Sequence, residues 1–198
     1  MTMTAPSETA PSSRPGFSPT DLALVAAFAA LIAACSVVGG IPVGGGAVDI
    51  TLQTFGVLLT GAVLGPTRGF LAGALYLGIG AVGLPVFAGH SGGLAPFTSS
   101  SAGYLISFPF AAALTGLVVA AVGARRTRAW AVFLAAVAGM VLNHACGIVG
   151  MKLYFGVGWA TAAAYDAPFW FVDVAKDLLV AIVAAEVHRA FPRLLSRR

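Results

Sequence analysis

A chain of 198 residues with 59% hydrophobic and 9% charged side chains has too few charges to cover a water-facing surface, since a soluble domain usually carries about 25%. Its mean hydropathy is +0.93, and the apolar residues come in long unbroken runs, the mark of a lipid-embedded bundle. Lipid demands that every backbone polar group be paired internally; the runs lack the period-two alternation of barrel strands, so they are read as helices. The net charge of +4 resides in short Arg clusters between apolar runs, a topology signal, and no nucleic-acid partner is expected.

In chain order, residues 1–20 are rich in Pro, Ser and Thr and read as a disordered cytoplasmic tail, with Thr20 placed to cap the helix that follows. Six apolar segments come next, at about 21–39, 49–65, 68–84, 102–123, 129–153 and 167–190. Together they predict an all-α membrane domain over 21–191, followed by a basic cytoplasmic tail over 192–198. The second and third segments fall short of the roughly 20 residues that a span needs, so they tilt little or are shielded within the bundle. Ile32-Ala33-Ala34-Cys35 looks like a lipoprotein cleavage site, but Arg14 lies well upstream and five further spans follow, so no signal peptide is expected.

The linkers differ in kind. Residues 39–48 are Gly-rich, 65–68 form a tight turn, and 124–128 are short and basic. Residues 154–166 are aromatic, as at a membrane interface. Residues 84–101 are long, uncharged and rich in Gly, Ser and Pro; such a segment is suited to fold back over the bundle and line a cavity, where irregular backbone is tolerated. All nine arginines (Arg14, Arg68, Arg125, Arg126, Arg128, Arg189, Arg193, Arg197 and Arg198) fall on one side of a six-span chain. The positive-inside rule makes that side cytoplasmic, together with both termini.

Inside the last segment lies Asp173-Val-Ala-Lys176, followed by Asp177. Asp173 is roughly 9 Å below the outer end at 1.5 Å per residue, where a charge costs about 2.5–3.5 kcal/mol on insertion scales. Residues three apart share a helix face. The pair is read as the polar part of a ligand cavity, fit for an amide-like, urea-like or carboxylate group, or as an ion pair that locks helices; the two roles are compatible. Asp49, Thr51, Gln53 and Thr54 cluster at the outer start of the second span, where they cap the helix or reach the same cavity. Asn143 and His144 lie mid-span in the fifth segment, in a position suited to interhelical hydrogen bonds. Lys152 is placed to snorkel. Tyr104, Trp159 and Trp170 read as interface-belt residues whose faces are also available to a pocket. Cys35 and Cys146 lack metal or disulfide spacing, and His90 and His188 are too far apart in the topology to share a metal. Ala23, Ala27, Ala30 and Ala34 recur every three or four residues along the first span, a pattern that allows close helix approach, either internally or to another membrane subunit. No P-loop, GxSxG, HExxH or Rossmann fingerprint occurs, so neither a catalytic site nor a cofactor is expected, and if the chain drives uphill transport the energy must come from a partner.

Several stretches resemble one family. Ile50-Thr-Leu-Gln-Thr-Phe-Gly56, Gly65-Pro-Thr-Arg-Gly69, Gly83-Leu-Pro-Val-Phe-Ala-Gly-His-Ser-Gly-Gly93, Ala102-Gly-Tyr-Leu-Ile-Ser-Phe108 and Asp173-Val-Ala-Lys176 are similar, in order, to segments of the BioY family, the biotin-binding S-components of energy-coupling-factor transporters. The resemblance implies a six-helix S-component fold in a bacterial plasma membrane. It implies biotin as the transported substrate, captured from the outside under a covering loop. It also implies partnership with a transmembrane T-component and two ABC-type ATPases, with the Ala23, Ala27, Ala30 and Ala34 face docking the T-component. Asp173 and Lys176 are then the expected polar ligand contacts, with Gly89, His90, Ser91, Gly92, Gly93 and Tyr104 lining or covering the pocket and Gln53 and Asn143 reaching it. The chain departs from the family at His90, where Gly is usual, and at Thr98-Ser-Ser-Ser-Ala102, where "GPTG" is usual. Competing readings are an S-component for another vitamin, a solitary biotin facilitator, and an intramembrane enzyme that uses Asp173 with His144.

Overall fold

The structure is a computed structural model and describes residues 17–43 and 48–192, with the side chains of residues 42, 43 and 124 left out. The expected tails, 1–20 and 192–198, therefore lie almost wholly outside the described residues. Within them the chain forms six α-helices and one small hairpin: α1 (Pro19–Val37), β1 (Ile41–Val43), β2 (Val48–Ile50), α2 (Gln53–Leu64), α3 (Pro66–Ala81), α4 (Ala102–Ala121), α5 (Ala129–Phe155) and α6 (Trp159–Ala190). Short 3₁₀ turns lie at Ala88–His90, Ala95–Thr98 and Gly123–Thr127.

The start of α1 corrects one expectation. Ser18, not Thr20, is the cap: its hydroxyl accepts from the Asp21 N–H at 3.2 Å, while its own N–H donates to Asp21 Oδ2 at 2.9 Å. Asp21 stands at the third helical position from Ser18, which completes a reciprocal capping box, and Pro19 suits the first turn because its missing N–H is an orphan there. Asp21 also pairs with Arg68 at 3.0 Å, across to the first turn of α3. Arg68, read from sequence as a loop residue, is thus a mostly buried helical one.

α2 and α3 are separated by Gly65-Pro66. Gly65 has φ 83°, a conformation that glycine adopts without a Cβ penalty. Pro66 has no N–H, so Ala62 C=O loses its helical donor. His188 near the end of α6 supplies a substitute, its Nε2 donating to that oxygen at 2.9 Å. With only 12 and 16 residues, neither helix has the length of an ordinary span. The answer for α2 is shielding: every residue from Gly56 to Leu64 is buried, and α2 packs against α1, α3, α4, α5 and α6. It is the axis of the bundle.

The described residues of the Gly-rich segment after α1 include strand. β1 and β2 pair antiparallel with Ile41 opposite Ile50 and Val43 opposite Val48, so the all-α expectation is amended by a hairpin. A larger difference lies at residues 154–166, read as an interfacial loop. The turn is confined to the neighbourhood of Gly156, in a left-handed conformation with φ 65°, and Gly158, the α6 N-cap. The Ala-rich stretch from Trp159 onward then joins α6, as its high helix propensity favours. At 32 residues, α6 is about 48 Å long at 1.5 Å per residue, longer than the roughly 30 Å hydrocarbon core. By length and composition, α1, α4 and α5 are suited to cross a bilayer.

Contacts sort the two ends of the bundle. Asp21–Arg68 joins the starts of α1 and α3, and His188–Ala62 joins the ends of α6 and α2. Arg189 donates to Thr127 O, and Arg126 to Pro192 O, which ties the α4–α5 connection to the end of α6. The described arginines therefore gather at one end. The hairpin, the 84–101 segment and the α5–α6 turn occupy the other.

Candidate functional site

At the end opposite the arginines lies a cavity of about 460 Å³, within the usual size range of small-molecule sites. Its roof is the 87–101 segment, which contributes Phe87, Gly89, Ser91, Gly92, Pro96 and Ser99–Ser101 among others. One wall is the hairpin and the start of α2, with Thr51, Gln53 and Thr54; the opposite wall is α4 with Tyr104, Leu105 and Phe108; and α6 supplies Phe169, Asp173 and Lys176.

The roof is anchored by one aromatic side chain. Phe87 is buried and meets the rings of Tyr76 and Phe97 edge-on, with centroids 5.4 and 5.6 Å away, geometry that aromatic quadrupoles favour. It fits a notch that exists because residue 80 is glycine: a Cβ there would lie 2.0 Å from the Phe87 ring. Tyr76 OH reinforces the anchor by donating to Val86 O at 3.2 Å, and it accepts from Gln53 Nε2 at 2.5 Å. Gly93 N–H donates to Gly80 O at 2.8 Å.

The polar floor is built on α6 and α2. Lys176 Nζ donates to Asp173 Oδ1 at 2.6 Å, to Thr51 O at 2.6 Å and to Thr54 Oγ1 at 3.1 Å. Thr54 Oγ1 lies 3.2 Å from Asp173 Oδ1. Behind Asp173 stands His144 of α5, its Nε2 3.2 Å from Asp173 Oδ2, an ion-pair distance off the hydrogen-bond direction. Its Nδ1 is 2.6 Å from Asp166 Oδ1. Asp166, fully buried, also accepts from Tyr104 OH at 2.5 Å and from Trp170 Nε1 at 2.6 Å. Asp166, His144, Asp173 and Lys176 bring acidic and basic side chains together in one buried group, the pairing that buried ionisable residues need. The cavity thus combines charged and polar groups on α6, α2 and the roof with the aromatic side chains Phe87, Tyr104, Phe108 and Phe169, a fit for a small ligand with an apolar body and polar ends.

The model of the BioY family matches residues 7–193. This chain belongs to the BioY family. It is 40% identical over 193 residues to the biotin transporter BioY of Rhodobacter capsulatus, covering 90% of this chain and 98% of that one. It is 37% identical over 168 residues to a probable biotin transporter BioY of Pyrococcus horikoshii, covering 85% and 96%. Among solved structures, the S-component for biotin from an ECF-type ABC transporter superposes with a TM-score of 0.80 at 25% identity, over 86% of this chain and 91% of that one. The BioY-family fold expected from sequence is therefore the fold found.

Within this family frame, the structure sorts the residues singled out from sequence. Asp173, Lys176, Gly89, Ser91, Gly92, Tyr104 and Gln53 line one cavity. His90, Gly93 and Asn143 do not. His90 is exposed, in the left-handed region at φ 57°, and lies outside the lining to which Gly89 and Gly92 contribute. Gly93 is spent on closing the loop against Gly80. Asn143 is buried and donates to Tyr104 O and Ser107 Oγ at 3.0 and 2.7 Å, an α5–α4 tie of the kind expected for mid-span Asn. Asp177 is buried outside the cavity lining, one turn beyond Asp173. Of the three aromatic candidates for the interface belt, Trp159 and Trp170 are exposed and Tyr104 is buried; Lys152 Nζ lies 5.0 Å above the Trp159 ring. Trp170 stacks on His144, with centroids 4.7 Å apart at 26°. Ala23, Ala27, Ala30 and Ala34 are all exposed, while Val25, Ala29, Ile32 and Cys35 face inward.

Sequence reasoning missed Asp166. Its signal was its spacing, seven residues before Asp173 and four before Trp170, which marks one helix face. That spacing carries meaning only once α6 is extended back to Trp159.

Proposed function

We propose that this chain is the biotin-capturing subunit of a vitamin uptake transporter. On this reading it spans a plasma membrane six times, keeps both termini and its arginines on the cytoplasmic side, and takes biotin into the roofed cavity from outside. The observation that carries the proposal is the coincidence of the Asp173–Lys176 pair, Thr54 and the aromatic walls in a single cavity of about 460 Å³, in a chain of a family whose curated members are named biotin transporters. Asp173 and Lys176 offer a carboxylate acceptor and an ammonium donor for the polar groups of biotin, and Phe87, Tyr104, Phe108 and Phe169 pack its apolar body. The exposed alanine face of α1 serves as the docking surface for a T-component, and ATPases bound to that component supply the energy. A transporter subunit, rather than an enzyme, is the role this arrangement serves.

The test is calorimetric titration of the purified chain with biotin, with riboflavin and thiamine as controls. Selective biotin binding is expected. Asp173→Asn and Lys176→Ala are expected to weaken it by about 100-fold or more, since each leaves a buried charge without its partner. A folded protein that ignores biotin, or variants that bind as tightly as the parent, would overturn the reading.

A further inference from the structure

We propose that Asp166 and His144 are positioning residues for the ligand site, holding Asp173 and Tyr104 in place from behind the cavity wall; this rests on the biotin reading above. Neither residue lines the cavity, and neither does Trp170. Yet the hydrogen-bonded chain they form meets the cavity wall at two points. At one end, Tyr104 OH donates to Asp166 Oδ1 at 2.5 Å. At the other, His144 Nε2 faces Asp173 Oδ2 at 3.2 Å, while the second oxygen of Asp173 takes Lys176 at 2.6 Å.

The arrangement clamps a rotatable carboxylate from both sides. Asp173 has two side-chain torsions, and Lys176 and Thr54 both hold the same oxygen, Oδ1, which leaves the second oxygen without a hold from that side. His144 fills the second side, and Asp166 fixes the ring by its Nδ1 at 2.6 Å, the same logic by which outer partners orient metal-ligating histidines. The ring plane is further set by Trp170, stacked on it and hydrogen-bonded to Asp166 Oδ2 at 2.6 Å. The contacts cross three helices, α4, α5 and α6, so the positions of Tyr104 and Asp173 in the wall are coupled. Preorganisation of this sort raises affinity by removing the cost of ordering the site when the ligand arrives.

The experiment uses the full chain in detergent, with biotin and biotin amide as ligands, and compares Asp166→Asn, His144→Gln and Asp173→Asn with the parent. Asp166→Asn is expected to remain folded, to lose about tenfold or more in biotin affinity, as removal of a charged hydrogen-bond partner implies, and to shift the biotin to biotin-amide affinity ratio in the same direction as Asp173→Asn. Asp166→Glu is expected to recover part of the loss. Parent-like binding by Asp166→Asn overturns the inference, and so does an equal loss for both ligands accompanied by a lowered melting temperature, which would mark a scaffold role only. If Asp166→Asn and His144→Gln both prevent folding, Trp170→Phe decides, because it leaves both ionisable partners in place: a shifted ligand ratio supports the clamp and an unchanged one overturns it. Failure of the parent chain to bind biotin would defeat the underlying reading and this inference with it, whereas parent binding beside a normal Asp166→Asn defeats this inference alone.

Discussion

Asp173 and Lys176 were legible in the sequence because an ionisable residue inside an apolar run is expensive and so is conspicuous. Asp166 has the same chemistry but stands at the edge of what reads as an aromatic linker, where a charge is unremarkable. His188 shows the opposite limit: nothing local announces that it serves Ala62, 126 residues away. The need arises from Pro66, which strips Ala62 of its donor. Replacing His188 by Ala is expected to lower stability by about 1–3 kcal/mol, the cost of leaving a buried acceptor unsatisfied, read as a lower melting temperature in detergent with biotin affinity little changed. Gly80 makes a second case. Gly80→Ala puts a methyl into the Phe87 ring, so the expected outcome is a displaced roof and weaker biotin binding, while the Gly78→Ala control, with open space around it, leaves binding intact.

Among the elements, the apolar segments mapped onto helices with ends shifted by a few residues, except where glycine concentrated the turn and let α6 start at Trp159 rather than near residue 167. The short α2 is explained by its place at the bundle axis, since a helix wrapped by five others has no lipid to span. The 84–101 segment, expected to fold back and line a cavity, does so because Phe87 gives an otherwise glycine-rich and serine-rich loop one deeply buried anchor. Phe87→Ala is expected to free the roof locally: removal of a buried Phe costs about 3–5 kcal/mol where the site cannot collapse, but a loop can release that cost by opening. The measurable consequence is faster biotin dissociation, by about tenfold or more on a conversion of 1.4 kcal/mol per decade, with little change in the melting of the helices.

For the molecule as a whole, the contacts at the arginine-bearing end tie α1 to α3, α2 to α6, and the α4–α5 connection to α6, so the charged end and the cavity end are opposite poles. If the arginines face the cytoplasm, a single cysteine introduced in the Gly156–Gly158 turn should react with an impermeant maleimide on intact cells, and one at Thr127 should not. The alanine face of α1 predicts a separation of functions: Ala27→Trp should block assembly with a T-component while the isolated chain binds biotin normally, because Ala27 is exposed and lies away from the cavity. Loss of biotin binding in that variant would count against a pure docking role.

Composition and hydrophobic run length were enough to indicate a bundle of apolar helices, and the family motifs were enough to name its relatives, because both are properties of local stretches of chain. The Asp–Lys pair was visible for the same reason, as two charges three residues apart on one face. What needed the folded molecule was everything that joins distant stretches: the hairpin beside the cavity, Asn143 spent on α4 rather than on the lumen, His90 left exposed outside the cavity lining, and above all the line from Tyr104 through Asp166 and His144 to Asp173. Hydrogen bonds and packing act across ångströms of space rather than along sequence, so only tertiary structure brings α4, α5 and α6 close enough for those partners to meet.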